Sequence, residues 1–254
     1  MDTGNFTFQL TDYLASGTYI TNKMKQDSMY MKEVQSTFVP KQNRAIMKNI
    51  EADIMALGPD GQVSGTANTI NGAAHRWFAA GSGGAISLKD FAYAKYALDI
   101  ANMPVVGRVA IVDPSVDYTL SQLSIATASM NYNPQWEGIV QTGMSTGMRF
   151  TRNIFGFDVY TSQNLKGGIT ETLAAAGPSA NSNPSGDGVA NLFFSAASDV
   201  LPFVGVMRQP PKVDSEYNKD MQREEYVTTC RYGFKLFRPE NMVVVISDLS
   251  ANLA

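Results

Sequence analysis

The stretch SLKDFAYAKYALDIANMP at residues 87–104, followed by GRVAIVDP at residues 107–114, decides most of what the sequence predicts about the fold. The first four residues are typical of a helix start, and apolar residues then recur at helical spacing. This predicts a helix over about residues 89–102, with an apolar side formed by Phe91, Tyr96 or Ala97, and Ile100. The second stretch is a short apolar run that ends at Asp113-Pro114, so it predicts a buried strand. Ser115 is expected to cap the next helix.

Toward the N-terminus the sequence predicts a short strand and then a long helix. Phe6, Phe8 and Leu10 alternate with polar neighbours, as in a half-buried strand. From Ile20 to about Leu57 apolar residues follow helical spacing, and the Gly- and Pro-containing cluster at 58–61 ends the pattern. Pro40 lies inside it, so a kinked helix and two consecutive helices both stay open. The charged residues of this segment predict either a solvated face or a subunit contact.

The rest of the chain predicts strands separated by irregular segments. Residues 58–87 read as an irregular excursion, and the Gly-, Ala-, Ser- and Asn-rich residues 166–187 predict an exposed, mobile insertion. Strands are expected at 156–161, 203–207, 225–237 and 242–246. Because short strands mix with helices and no regular βαβ alternation occurs, the predicted fold class is α+β.

The composition excludes several classes of protein. The chain has 254 residues, 44% of them hydrophobic, which is enough to bury a sizeable core. No run approaches the roughly 20 apolar residues of a membrane span, and the start does not resemble a secretory signal, so we expect no membrane and a product made in the cytoplasm. The 20 basic and 23 acidic residues argue against a protein that grips nucleic acid. The single cysteine, Cys230, cannot form an internal disulfide.

The motifs that could carry chemistry are weak. Gly143-Met144-Ser145-Thr146-Gly147 matches a nucleophile elbow, but such a hydrolase needs a histidine after the serine, and His75, the one histidine, precedes it. Gly81-Ser82-Gly83-Gly84 lacks the remaining residues of a phosphate-binding loop. One histidine and one cysteine are too few for the usual metal sites. We therefore expect no catalytic residue, no cofactor and no metal.

The order of these elements resembles the major capsid protein of tailed bacteriophages, which has the Hong Kong 97-type fold. Two regions carry the resemblance. One is the helix at 90–104 with its Ala-Asn-x-Pro ending, followed by Gly-Arg and the strand at 107–114; the other is Gly156-Phe157-Asp158-Val159-Tyr160 together with the closing residues 232–240. Family members also have an N-terminal arm and an outgoing loop strand before the position of Phe6. From this difference we expect either a longer product or removal of the arm.

The resemblance implies a domain plan and a function. Residues 1–20 would be the remnant of an extended loop, 21–89 a peripheral domain with a spine helix, 90–200 an axial domain, and 201–254 the return strands of the peripheral domain. Copies of the chain would form pentamers and hexamers that enclose double-stranded DNA in an icosahedral head, the virion capsid, assembled in the bacterial cytoplasm. Scaffold, portal and cement proteins are the other partners implied. The charged residues Arg44, Lys48 and Glu51 on the spine helix are the candidate subunit contacts.

Two other functions stay open. An encapsulin-type nanocompartment shell resembles the same fold but encloses enzymes instead of DNA. A serine hydrolase that uses Ser145 is the remote alternative. The contents of purified particles would separate the first from a phage head, and Ser145→Ala would test the second.

Overall fold

The computed structural model describes residues 9–10, 12–27, 31–128, 152–181 and 187–253. Its elements are the strands β1 (Asp12–Thr21), β2 (Thr69–Ile70), β3 (Ala73–Ala74), β4 (Arg76–Phe78), β5 (Arg108–Val112), β6 (Arg152–Ile154), β7 (Phe157–Thr161), β8 (Gly188–Ser195), β9 (Phe203–Asn218), β10 (Arg223–Leu236) and β11 (Val243–Asp248), and the helices α1 (Asn22–Asp27), α2 (Met31–Asp60), α3 (Leu88–Ile100), α4 (Pro114–Ala128) and α5 (Leu249–Asn252). The mixture of helices and strands confirms the α+β prediction.

The chain divides into two compact units. The first contains the described residues up to Ile54 together with Val204–Lys235. In it, β1, β10 and β9 form a sheet in that order, and β1 pairs antiparallel with β10 from Asp12 opposite Tyr232 to Thr21 opposite Arg223. Ile46 and Ile50 of α2 pack with the buried Cys230 and Tyr232 of β10. One face of this sheet is therefore covered by the helix.

Pro40 lies inside α2, which continues from Met31 to Asp60. Proline removes one helical hydrogen bond and costs about 3 kcal/mol in a helix interior. Packing of the following turns, where Gln42, Ile46 and Ile50 are buried, offsets this cost. Of the two alternatives left open by the sequence, the structure has one helix through Pro40, with the short α1 as a separate element.

The second unit contains the described residues of Met55–Phe203 and those from Leu236 on. Within the described residues its main sheet has the order β4-β11-β8-β5-β7-β6. Both faces are covered, by one apolar cluster around Trp77, Phe91 and Phe193 and another around Leu173 and Leu192. Every residue of β8 and β11 is buried, which matches their nearly continuous apolar sequences.

The helix and strand that opened the sequence argument are confirmed. α3 begins after Ser87, whose amide and hydroxyl both donate to the Asp90 carboxylate at 2.8 Å. β5 has the predicted bounds, 108–112. The cap of the next helix differs from the prediction, because the Asp113 carboxylate accepts the Ser115 amide (2.8 Å) and Pro114 occupies the first helical position.

Two predictions about irregular segments were wrong in part. Residues 58–87 contribute β4 to the main sheet, and Trp77 is fully buried with its indole nitrogen donating to Asp90 (3.0 Å). In the predicted exposed insertion at 166–187, residues 182–186 lie outside the described residues, and many of residues 166–181 are exposed as predicted. Ile169 and Leu173, however, belong to a buried cluster, so the segment is packed against its unit. Amino-acid composition reflects only the local conformational preference of a segment, and in these two segments packing against distant residues outweighs that preference.

The two compact units have other bounds than the predicted domains, whose ranges stay a prediction. β11 lies between β4 and β8, so the described residues from Leu236 on share a sheet with residues 76–78 and 188–195. The predicted ranges likewise grouped 201–254 with 21–89, which contains residues 76–78, but placed residues 188–195 in a separate domain. The reason is that the last strand is inserted in the middle of a sheet formed by residues far from it in the chain. The assignment of peripheral and axial roles stays a prediction.

Candidate subunit-contact surface

The outward side of α2 carries a row of basic side chains. Lys41, Arg44 and Lys48 are exposed and are spaced three and four residues apart, so they lie on one face of the helix. Ile46 and Ile50 are buried on the opposite side. The structure thus brings two of the three candidate contact residues, Arg44 and Lys48, together on an exposed surface.

Glu51, the third candidate, has a different environment. It is half-buried, and it takes part in a polar interaction within the chain. Asp53, two residues further on, accepts a hydrogen bond from the Tyr232 hydroxyl. Burial, together with the neighbouring Asp53 carboxylate, raises the pKa of Tyr232. Asp53 is therefore bonded to the sheet of its own unit, in contrast to the exposed basic row.

Polar contacts fix the inward side of α2 on the sheet. Thr228 is fully buried and its hydroxyl donates to the Gln42 side-chain oxygen (3.0 Å). The Gln42 side-chain nitrogen lies 3.5 Å from the Tyr226 carbonyl. These contacts fix the rotation of α2 about its own axis relative to the sheet, so the basic row always lies on the side of α2 that faces away from the sheet.

The other face of the three-stranded sheet exposes aromatic and charged groups that the sequence analysis missed. Tyr13 and Tyr19 of β1 are 59% and 61% exposed, so neither is a core residue. The Arg223 guanidinium lies 4.8 Å from the centre of the Tyr19 ring, and its Nε donates to Glu225 (2.6 Å). This bond lowers the pKa of Glu225. The alternation Tyr13, Ala15, Gly17, Tyr19 was the sequence signal that could have identified this face.

In the second unit, a buried ion pair holds residues 162–181, here called the strap. The Glu171 carboxylate accepts from Arg76 Nε (2.7 Å), Arg76 Nη2 (2.5 Å), Ser64 Oγ (2.5 Å) and the Gly65 amide (2.9 Å). Burial alone would raise the pKa of Glu171, but these bonds outweigh it and lower the pKa. Lys166 also pairs with Asp60 at the surface.

The weak chemical motifs gain no support from the geometry. Ser145 lies outside the described residues. His75 is fully buried, its Nδ1 lies 3.1 Å from the Ala73 carbonyl, and burial lowers its pKa. Gly81 to Gly84 form a single tight turn. Within the described part of the chain, no three His, Cys, Asp or Glu side chains come together as metal ligands would. None of the helices in this part is long and apolar enough to cross a membrane.

Comparison with known structures identifies the fold. The capsid of the cyanophage P-SCSP1u superposes with a TM-score of 0.66 at 17% identity, covering 96% of this chain and 78% of that one. A chain from Mycobacterium phage Che8 superposes with a TM-score of 0.61 at 17% identity, covering 93% of this chain and 71% of that one. The SrpI encapsulin of Synechococcus elongatus superposes with a TM-score of 0.51 at 9% identity, covering 94% of this chain and 75% of that one. The chain has the Hong Kong 97-type fold that these shells share.

The sequence itself identifies the class of protein. Residues 5–245 match the model of the phage capsid protein family, so the chain belongs to that family. No curated protein matches this sequence. The chain is a structural subunit of a phage head and not an enzyme, which confirms the function predicted from the order of its elements.

Proposed function

We propose that copies of this chain form pentamers and hexamers, and that these close an icosahedral head around double-stranded DNA. The observation that carries the proposal is the family match over residues 5–245. A net charge of −3 suits a shell that contains the genome without binding it tightly. Scaffold and portal proteins, and cement proteins on the outside, are the partners of this proposal. Residues 90–200 would serve as the axial domain, and residues 21–89 with 201–254 as the peripheral domain.

Within this proposal, Arg44, Lys48 and Glu51 contribute to contacts between subunits. The support is the position of Arg44 and Lys48 on a fixed, exposed helix face. An isolated exposed charge adds little to the stability of its own subunit, about 0–1 kcal/mol. Between subunits, charge complementarity selects partners and directs their encounter. We therefore expect Arg44→Glu to impair assembly while the free energy of unfolding of the subunit stays within about 0.5 kcal/mol of the wild type.

The experiment is electron microscopy of particles purified after expression of the chain, with DNA and protein content measured in parallel. Closed polyhedral particles that package double-stranded DNA when the phage packaging proteins are supplied would support the phage head. Particles that enclose a specific enzyme and no DNA would count against the phage head. Arg44→Glu is compared with Lys89→Glu, a reversal on α3, outside the α2 face. Equal particle yields from both variants would remove Arg44 from the contact surface.

A further inference from the structure

Three neighbouring turns at one end of the six-stranded sheet expose apolar side chains. The loop before β5 carries Val105 and Val106, which are 63% and 82% exposed. The turn between β6 and β7 carries Phe155, and the loop after β8 carries Leu201, each 45% exposed. We call these four residues the apolar rim.

The turns that carry the rim lie side by side because they belong to adjacent strands. β5 lies between β8 and β7 in the sheet. After β8, the Ala196 amide donates to the Gly107 carbonyl (2.8 Å) and ties the two loops together. β5 and β7 are parallel with Val109 opposite Asp158, so Val106 and Phe155 each precede the paired positions by three residues. Exposed apolar groups that cluster in this way mark interaction surfaces more often than scattered ones do.

Phe155 also has an unfavourable backbone conformation. Its φ is +51° and that of Gly156 is +87°, so both residues of this two-residue turn lie in the left-handed region. Such turns strongly favour Asn-Gly or Asp-Gly, and a bulky residue with positive φ is rare. No atom lies within 4 Å of a Cβ built on Gly156, so the turn is open on that side. Local strain kept at an exposed aromatic residue indicates that the side chain serves a purpose outside its own fold.

We propose that the apolar rim binds the outer face of α2 in a second copy of this chain, with Phe155 as its anchor. The inference rests on the proposed function for the assembly in which the contact forms. Charge complementarity supports the choice of partner: Asp199 is exposed two residues before Leu201, and α2 presents Lys41, Arg44 and Lys48.

A further feature of the partner surface fits this contact. On α2, Met47 is 53% exposed and offers an apolar contact next to the basic row. Aromatic anchors that insert among flexible apolar side chains are common centres of binding energy.

The test compares Phe155→Asn with Phe155→Tyr. Asparagine relieves the left-handed strain, so we expect the melting temperature of the unassembled subunit to rise by about 2–4 °C. Loss of the ring should at the same time raise the concentration needed for assembly at least about tenfold, measured by light scattering and sedimentation. Phe155→Tyr keeps both the strain and the ring, and should match the wild type in both measurements.

The α2 face is tested by exchanging charges. Asp199→Lys and Lys48→Asp should each weaken assembly, and the double variant should recover it; single defects without recovery would overturn the α2 face as the partner. If the wild type assembles and Phe155→Asn assembles equally well, the rim contact is overturned and the proposed function is not. A lower melting temperature for Phe155→Asn would overturn the argument from strain. A wild-type chain that forms no particles would instead count against the proposed function.

Discussion

Replacing Glu171 by alanine should destabilise the second unit more than any surface change, because it isolates a buried charge. The Arg76 side chain is 3% exposed and that of Glu171 is 10% exposed. Arg76 Nε and Nη2 both donate to Glu171, and Nη1 donates to the Pro59 carbonyl (2.7 Å). In Glu171→Ala, the Pro59 contact remains, while two of the three donating nitrogens lose their acceptor.

The magnitude follows from the burial of this pair. Arginine stays protonated in proteins, so Arg76 cannot avoid the cost of an unpaired buried charge by losing its proton. Removing one partner of a buried ion pair costs about 3–5 kcal/mol, whereas breaking an exposed pair costs about 0–1 kcal/mol. Whole domains are stable by about 5–15 kcal/mol. Glu171→Ala should therefore remove a large share of the free energy of unfolding.

The assay is urea unfolding of the purified subunit, combined with hydrogen exchange at two strap contacts. The Ile169 amide donates to the Gly188 carbonyl and the Ala190 amide to the Lys166 carbonyl, both at 3.0 Å. Glu171→Ala should speed exchange at both amides. Lys166→Ala is the matched control, because it breaks a strap ion pair whose side chains are 40% and 53% exposed. A cost for Glu171→Ala no larger than for Lys166→Ala would refute the argument.

The remaining predictions concern packing and pH. Leu173 is 1% exposed, so Leu173→Ala should lower the free energy of unfolding by about 2–5 kcal/mol, measured by urea unfolding; a cost below about 1 kcal/mol would contradict its place in the core. The pKa of the single histidine, His75, is lowered by burial, so the folded state takes up its proton less readily than the unfolded state. Stability should thus fall as the pH falls below the ordinary value of 6.5, and His75→Gln should reduce this loss between about pH 7.5 and about pH 5.5; equal losses in both proteins would contradict the assignment.

The parts of the fold that sequence predicts well are those fixed by neighbouring residues. α3 has its start signal within four residues, where Ser87 and Asp90 bond to each other. β5 contains the apolar run Val109–Val112, which is followed by Asp113-Pro114. β11 begins with the apolar run Val243–Ile246 and is preceded by the turn at Pro239–Asn241. In each case local preference and tertiary packing favour the same structure.

The strap and β4 could not be predicted in this way, because distant residues decide their structure. Arg76 and Glu171 are 95 residues apart in the chain. Asn181, in a stretch that composition marks as irregular, donates to the Ala79 carbonyl (2.8 Å) and the Gly81 carbonyl (3.1 Å). The sequence of residues 166–181 has no periodicity that would predict these hydrogen-bond partners. For the candidate contact surface, periodicity places Arg44 and Lys48 opposite Ile46 and Ile50, but a contact with a second copy lies beyond any single-chain pattern.

The exposed apolar groups allow the requirements of folding to be separated from those of assembly. A side chain that is about half exposed in the subunit contributes only part of its apolar area to folding, so its polar replacement should cost little stability. Tyr13, Tyr19 and Val106 are more than half exposed, whereas Trp77 and Phe193 are fully buried. If the first group serves assembly, polar substitutions there should lower particle yield while changing the free energy of unfolding only a little. Substitutions in the second group should lower both together, because a subunit that does not fold cannot assemble.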